Sequence, residues 1–499
     1  MSDALMLSIS GCRGVVGTSL TPEVVMRFAA AVGGFVKAER KKPRVKVKGK
    51  AKTAGAGAKA GTGTGTDAVT GRPLVVVGRD GRAGGEMIRN AAVAGLQSAG
   101  CDVLDLGVAM TPTIGVVADE IGSAGLVLTA SHNPQQWNGL KPIVKLTAPG
   151  PFGTCASAPD KAAVEAIIAA FEKGTTACVA WDGLGTVTDA SELVGFHGVK
   201  LTELLKDLKL KKKIEKAGFK VVIDSVNASG VDLSALLMDA LGVKLTHVGA
   251  LHNGLFPHTP EPTRENLKDL CKQIKKHKAD VGFAQDPDAD RLAIIDENGR
   301  YIGEEYTIVL CAMALIELGL IAKGDKIVVN LSTSRMIEDV VTIAGATVVR
   351  AAVGEANVVA MMKQLGSPFG GEGNGGVIWP PMTYIRDSLS GMALVLGLMA
   401  LRGQKLSKIV DEVPTYAIVK RKVDLASKDA AKPGLDRLAA HYKSHKVDRQ
   451  DGVRIAFEAE RAWLHVRASN TEPIMRLIAE APDAKTAERL LDEAGKICR

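Results

Sequence analysis

The chain has 499 residues, 46% hydrophobic, 24% charged and only 4% aromatic, a globular balance too long for one hydrophobic core and suited to roughly three or four domains. No apolar run nears the roughly 20 residues of a membrane span, the opening MSDALMLSIS lacks the basic and apolar regions of a secretory signal, and the seven cysteines form no C-x-x-C pair or Cys/His cluster, so neither a disulfide framework nor a zinc site is expected and the cytoplasm is the expected compartment. The net charge is +8, yet residues 37–72 hold eleven Lys and Arg against two acids, a net of +9 that leaves −1 for the remainder; the basic character belongs to one segment, and no specific nucleic-acid or membrane partner is expected.

In chain order, Ser19-Leu20-Thr21-Pro22 opens a predicted helix over 21–36, with proline at a first-turn position. The Lys-, Ala-, Gly- and Thr-rich segment 37–72 that follows has almost no apolar side chains. It reads as a disordered basic insertion on the surface, with no catalytic role. Beyond it, short apolar runs at 73–78, 101–107, 124–130, 220–225, 280–286, 292–296 and 326–332 alternate with longer amphipathic stretches. These predict buried strands between helices, an α/β chain with substantially parallel sheets. Composition shifts divide it at 1–195, 196–298, 299–408 and 409–499. The second part opens on a Lys-rich helix over 201–218, the third closes after a long helix over 389–402, and the last reads as an α+β unit.

Each part carries one segment with chemical content. Thr129-Ala130-Ser131-His132-Asn133-Pro134 follows the strand LVLT, so Ser131 would project into a crevice at the carboxyl edge of a sheet. A serine hydroxyl needs a base, a metal or a neighbouring charge to act as a nucleophile, and His132 and Lys141 are candidates for that charge. In Asp286-Pro287-Asp288-Ala289-Asp290-Arg291 the carboxylates of three alternating positions repel unless a cation sits among them. Oxygen donors of this kind suit Mg²⁺ or Ca²⁺. An EF-hand is the obvious rival, but Arg291 stands where its glycine is required and an apolar strand follows at once. Phe369-Gly370-Gly371-Glu372-Gly373-Asn374-Gly375-Gly376 combines a permissive backbone with polar groups for sugar hydroxyls. Arg467-Ala468-Ser469-Asn470-Thr471-Glu472-Pro473, with Arg476 beyond, offers guanidinium, hydroxyl and amide donors for a phosphate.

Together these segments resemble the α-D-phosphohexomutase superfamily, in the family's order of phosphoserine, metal, sugar and phosphate loops. Ser10-Gly11-Cys12-Arg13-Gly14, Asp224-Ser225-Val226-Asn227 and Arg386-Asp387-Ser388 are further matches. The resemblance covers nearly all of the chain outside 37–72. It implies three mixed α/β domains and a C-terminal α+β domain around a central cleft. It also implies an intramolecular phosphotransferase that interconverts hexose 6-phosphate and hexose 1-phosphate. Phosphorylated Ser131 would donate to the sugar, and the bisphosphorylated intermediate would turn over and return its other phosphate; a hexose 1,6-bisphosphate would be the activator. Mg²⁺ would be held by Asp286, Asp288, Asp290 and the phosphoserine at 131. Arg13, His132, Lys141 and Arg291 would position the phosphoryl group and assist proton transfer. Glu372 and Asn374 would bind the sugar, with Arg467, Ser469, Asn470, Thr471 and Arg476 on the phosphate that is not reacting.

Many relatives have Ser and His where this chain has Asn374 and Gly376, so a role carried by that histidine is absent or moved. The N-terminal and sugar loops resemble those of phosphoglucosamine mutases, which implies glucosamine phosphate as the sugar, with glucose or mannose phosphate as the alternatives. A non-catalytic sugar-phosphate binder is disfavoured because nucleophile, aspartates and phosphate loop are all present together.

Overall fold

The computed structural model describes residues 4–40, 71–146, 155–425, 427, 430–468 and 474–498. Four sheets follow one another along the chain. The first has eight strands; its central parallel strands Leu74–Arg79, Asp102–Val108 and Ala124–Leu128 are flanked by the antiparallel Trp137–Leu146. In the second, Lys244–Val248, Lys220–Asp224 and Val281–Gln285 are parallel and Leu292–Asp296 closes the edge antiparallel. The third repeats this order with Thr347–Ala351, Lys326–Asn330, Gly370–Glu372 and the antiparallel Gly376–Ile378. The fourth is a five-stranded antiparallel sheet backed by helices Ala431–His441 and Ala484–Cys498. Three mixed α/β domains and a C-terminal α+β domain are therefore present. The sheets are mixed rather than simply parallel.

One topology repeated three times has a consequence for the site. In each α/β domain a parallel strand turns into its antiparallel neighbour through a short connection. Those connections are 129–136, 286–291 and 373–375, so they hold Ser131, the three aspartates and the sugar-loop segment. All three sit at the carboxyl end of a parallel strand, where open α/β sheets bind ligands.

The expected single helix over 201–218 is two, Gly195–Asp207 and Leu210–Ala217, separated by Lys209 at φ +59°. Leu201, Leu205, Leu210 and Ile214 all enter one core. In an unbroken helix the second pair would point most of half a turn away from the first, and the left-handed residue resets the face. The helix predicted over 21–36 runs to Arg40, so 37–40 belong to it. Of the rest of the expected insertion, 41–70 lie outside the described residues, and Arg72 Nε pairs with Asp102 Oδ1 (2.9 Å). Helix Leu406–Asp411 buries Leu406, Ile409 and Val410 in the core shared by the second and third domains; the expected division at 408/409 falls inside it. His197 ties the first three domains together, Nδ1 to Thr113 Oγ1 (2.9 Å) and Nε2 to Asp387 Oδ2 (3.2 Å). Among the described residues no helix is long and apolar enough to cross a membrane.

Candidate active site

Ser131 occupies the left-handed region at φ +50°, a conformation that costs a non-glycine residue free energy and needs support from its surroundings. The support comes from the loop after the strand Leu74–Arg79. Thr129 Oγ1 donates to Asp80 Oδ2 (2.6 Å) and accepts from the Ser131 amide (2.8 Å). Asp80 also binds Arg82 Nε (2.8 Å), and Arg82 Nη2 donates to the Ser131 carbonyl (2.7 Å). Both Asp80 and Arg82 are buried. Removing the linking hydroxyl as Thr129→Val leaves two buried groups short of a partner, a loss of about 1–3 kcal/mol. We expect kcat to fall about tenfold with a drop of only several degrees in melting temperature, measured by steady-state assay and calorimetry; an unchanged kcat would separate this brace from catalysis.

Braced in this way, Ser131 is buried, and Oγ donates to Asp286 Oδ2 at 2.7 Å, with His132 Nδ1 at 3.4 Å. Asp286, Asp288 and Asp290 are fully buried, and one oxygen from each lies within 4.8 Å of the others. Burial, then Asp288 and Asp290, push the Asp286 carboxyl well above the usual carboxylate range. Asp288 Oδ1 and Asp290 Oδ1 are buried without a hydrogen-bond partner. Orphaned oxygens on clustered carboxylates are what a hard divalent cation satisfies, and the donor set fits one.

All three α/β domains hold this aspartate loop. From the first, Thr111 Oγ1 donates to Asp288 Oδ2 (2.6 Å) and Lys141 Nζ to Asp290 Oδ2 (2.9 Å). From the second, Ser229 Oγ donates to the Pro287 carbonyl (2.7 Å). From the third, Ser388 Oγ donates to the Ala289 carbonyl (2.7 Å) and Arg386 Nη2 to Asp290 Oδ2 (2.6 Å). Burial opposes the Lys141 charge, but Asp290, Glu355 and Asp288 outweigh it and raise its pKa. Burial also disfavours charge on Asp290, yet Arg386 and Lys141 hold it well below the usual range. Arg13 Nη1 reaches Asn133 Oδ1 (3.1 Å), and the Arg291 amide donates to Asp286 Oδ1 (3.1 Å) while Arg291 Nε lies 4.0 Å from Asp290 Oδ1.

His132 is not the positive neighbour expected from the sequence. Arg291, burial and Arg13 lower its pKa well below the ordinary imidazole value, which favours the neutral ring.

Glu372 also differs from expectation. It is buried and already bound by protein: Oε1 accepts from Asn330 Nδ2 (2.8 Å) and the Gly354 amide (3.2 Å), Oε2 from Arg386 Nη1 (2.8 Å) and Asn374 Nδ2 (3.4 Å). Burial works against its charge, but Arg386 and Asn330 keep it ionised. A carboxylate offers about four acceptor positions, so a sugar hydroxyl must displace a partner, and Asn374 is the longest of the four. The missing histidine has a steric explanation: a Cβ at Gly376 would lie 2.2 Å from Arg386 Cδ. The Arg386 stem fills the space a side chain at 376 would need.

Arg467 and Arg476 face each other on adjacent strands of the fourth sheet, and Arg467 Nη1 binds Asp451 Oδ2 (2.7 Å). Ser469, Asn470 and Thr471 lie outside the described residues. Among the described residues no hydrogen bond or ion pair joins either arginine to Ser131, the aspartates or Glu372, so the structure brings together three of the four expected segments. Asp80, Arg82, Thr111, Asn330 and Glu355 went unnoticed in the sequence. Only Gly78-Arg79-Asp80-Gly81-Arg82 carried a signal, charged residues in a glycine turn directly after a buried strand.

Comparison with known proteins agrees with this geometry. The chain matches the descriptions "Phosphoglucomutase/phosphomannomutase, alpha/beta/alpha domain" I at residues 50–174, II at 201–299 and III at 303–416, and the "C-terminal domain" at 419–496. It is 34% identical over 486 residues to "Phosphoglucomutase/phosphomannomutase" of Thermococcus kodakarensis, covering 97% of this chain and 96% of that one. To "Probable phosphoglucosamine mutase" of Methanopyrus kandleri it is 32% identical over 500 residues, covering 98% and 97%. A crystal structure of a "Phosphoglucomutase/phosphomannomutase family protein" from Burkholderia thailandensis has the same fold, with TM-score 0.75, 24% identity and coverage of 99% and 98%. The chain belongs to the phosphoglucomutase/phosphomannomutase family. Its activity is that class of reaction, hexose phosphate mutation by an intramolecular phosphotransferase.

Proposed function

We propose that Ser131 carries the transferred phosphoryl group and that the enzyme is a phosphoglucosamine mutase. The observation that carries the first part is the Ser131 hydroxyl bonded to one of three clustered buried aspartates. Phosphoserine donates to a hydroxyl of the bound hexose phosphate: the bond from phosphorus to Oγ breaks, one to the sugar oxygen forms, and the hydroxyl proton passes to a base. On return, Ser131 loses its proton as it takes the second phosphate. Asp286 and His132 are the acceptors within reach, and with a cation on the aspartates the neutral His132 is the one that remains. Asp286, Asp288, Asp290 and an oxygen of the phosphoserine would hold Mg²⁺, which when bound supplies positive charge to the oxygens of the group in transfer. Arg13, Lys141 and Arg291 orient that group, while Arg467 and Arg476, with Ser469, Asn470 and Thr471, take the idle phosphate. A hexose 1,6-bisphosphate primes Ser131. The seven free thiols suit a reducing compartment, and we place the enzyme in the cytoplasm.

Glucosamine phosphate is favoured because Glu372 stays ionised in its buried setting, and a carboxylate attracts an ammonium as well as accepting from hydroxyls. The name of the Methanopyrus kandleri relative points the same way, that of the Thermococcus kodakarensis relative toward neutral hexoses. Glu372→Gln with a panel of glucosamine, glucose and mannose phosphates separates these. We expect kcat/KM to fall on every sugar, and about tenfold further on the amino sugar. Equal losses on neutral and amino sugars would remove the preference for glucosamine.

A further inference from the structure

The loop after the strand Lys326–Asn330 occupies in the third domain the position that Asp80 and Arg82 occupy in the first. It braces the sugar loop in the same way. Asn330 Nδ2 donates to Glu372 Oε1 (2.8 Å), Asn330 Oδ1 accepts from the Ser332 amide (2.9 Å) and from Thr333 Oγ1 (3.0 Å), and Thr333 Oγ1 accepts from the Gly373 amide (3.1 Å). Like its counterpart, which meets the second domain where the Ala83 amide donates to the Gly254 carbonyl (3.0 Å) and Arg82 lies over the Phe256 ring, this loop is also gripped by another domain. Arg454 Nε donates to the Leu331 carbonyl (2.9 Å), and the Arg335 amide to Glu480 Oε1 (2.9 Å), which takes Trp463 Nε1 as well (2.7 Å). Between these contacts, Ser332 Oγ meets His465 Nδ1 at 2.8 Å.

His465 is fully buried and its Nε2 lies 2.7 Å from the Asp451 carbonyl. A carbonyl only accepts, so Nε2 carries the proton. Burial lowers the His465 pKa to about 4, so the ring is neutral, Nδ1 is an acceptor and the Ser332 hydroxyl donates to it. The far end of the series is Asp451, whose Oδ2 takes Arg467 Nη1 at 2.7 Å. Glu372, Asn330, Ser332, His465, Asp451 and Arg467 thus form one series across the boundary between the third and fourth domains. Every hydrogen-bond direction in it is fixed by the chemistry of its neighbours.

We propose that Ser332, His465 and Asp451 are positioning residues that hold Arg467 in register with the sugar loop, so that the phosphate-binding end of the site stands at a set distance from Glu372. The proposal rests on Arg467 being a ligand of the idle phosphate. A hexose phosphate is held at both ends, and its affinity exceeds that of either end only when the two sub-sites have the spacing of the ligand. Inorganic phosphate has one end and is indifferent to that spacing. Loss of register therefore weakens sugar-phosphate binding while leaving phosphate binding as it was, which a general loss of stability would not do.

The test uses the full-length enzyme with saturating bisphosphate activator. In Ser332→Ala the KM for hexose phosphate should rise about five- to tenfold, the effect of one lost hydrogen bond, with kcat within about twofold and the inhibition constant of inorganic phosphate unchanged. Ser332→Thr keeps the hydroxyl and should restore KM. Asp451→Asn releases Arg467 from the other side and should raise both KM and the phosphate inhibition constant. The double variant should be no worse than Asp451→Asn alone, because both act on one series. A KM within twofold of wild type in both single variants, or multiplicative effects in the double, overturns the proposal while leaving Arg467 as a phosphate ligand. If Arg467→Ala itself leaves KM unchanged, the reading of the phosphate loop fails first and this inference fails with it.

Discussion

Ser131→Ala should reduce mutase turnover by at least about four orders of magnitude, because in the mechanism we propose its hydroxyl carries the phosphoryl group and no other side chain replaces a lost nucleophile. The sequence alone suggests a surface-facing loop hydroxyl whose removal costs little stability. The structure buries Ser131 and bonds it to Asp286. Alanine therefore leaves Asp286 Oδ2 without that donor, a cost of about 1–3 kcal/mol, enough to lower the melting temperature and too little to unfold the domain. Intact-mass measurement of the wild type should show one added phosphate, localised to the peptide containing Ser131 and lost in the variant. Near-wild-type turnover in Ser131→Ala would end the phosphoserine mechanism.

Asp288→Asn should lower turnover by at least about two orders of magnitude through loss of the metal. The substitution is mild in shape. Thr111 Oγ1 donates to Asp288 Oδ2, and an asparagine oxygen can accept the same bond, so the loop keeps its anchor to the first domain. What disappears is one of three clustered buried carboxylates, and this gives the experiment a second readout. Without metal the three carboxylates repel, and removing one charge should leave the metal-free variant as stable as the wild type or more so. Added Mg²⁺ should then raise the wild-type melting temperature more than that of the variant, since only affinity for the folded state stabilises it. An equal Mg²⁺-induced shift in both proteins, or full wild-type activity after exhaustive chelation, would overturn the metal assignment.

Much of this site was legible in the sequence because its segments are local. Ser131 and the three aspartates each lie in a short loop directly beyond an apolar strand, Glu372 ends a short glycine-rich strand, and the resemblance ordered those segments along the chain. Other features failed to show because their cause is distant. The break at Lys209 depends on which core Leu210 and Ile214 must reach, and local propensity does not contain that information. Thr111 finds Asp288 across 177 residues of sequence, and nothing in Thr111-Pro112-Thr113 announces it.

The amino-acid sequence by itself determined the alternation of strands and helices, the grouping of three aspartates and the position of Ser131 directly beyond a buried strand, since each follows from residue types a few positions apart. Only the tertiary structure decided how they work together. It placed three loops at the same point of a repeated topology and drew Lys141, Asp290, Glu355 and Arg386 into one buried network. It also let Arg386 fill the space beside Gly376 and set Arg291 and Arg13 near His132, which favours the neutral ring over the expected cation. The physical reason is common to all of these: proton affinity and ion pairing depend on burial and on charges within a few ångströms, and folding brings those neighbours from every part of the chain.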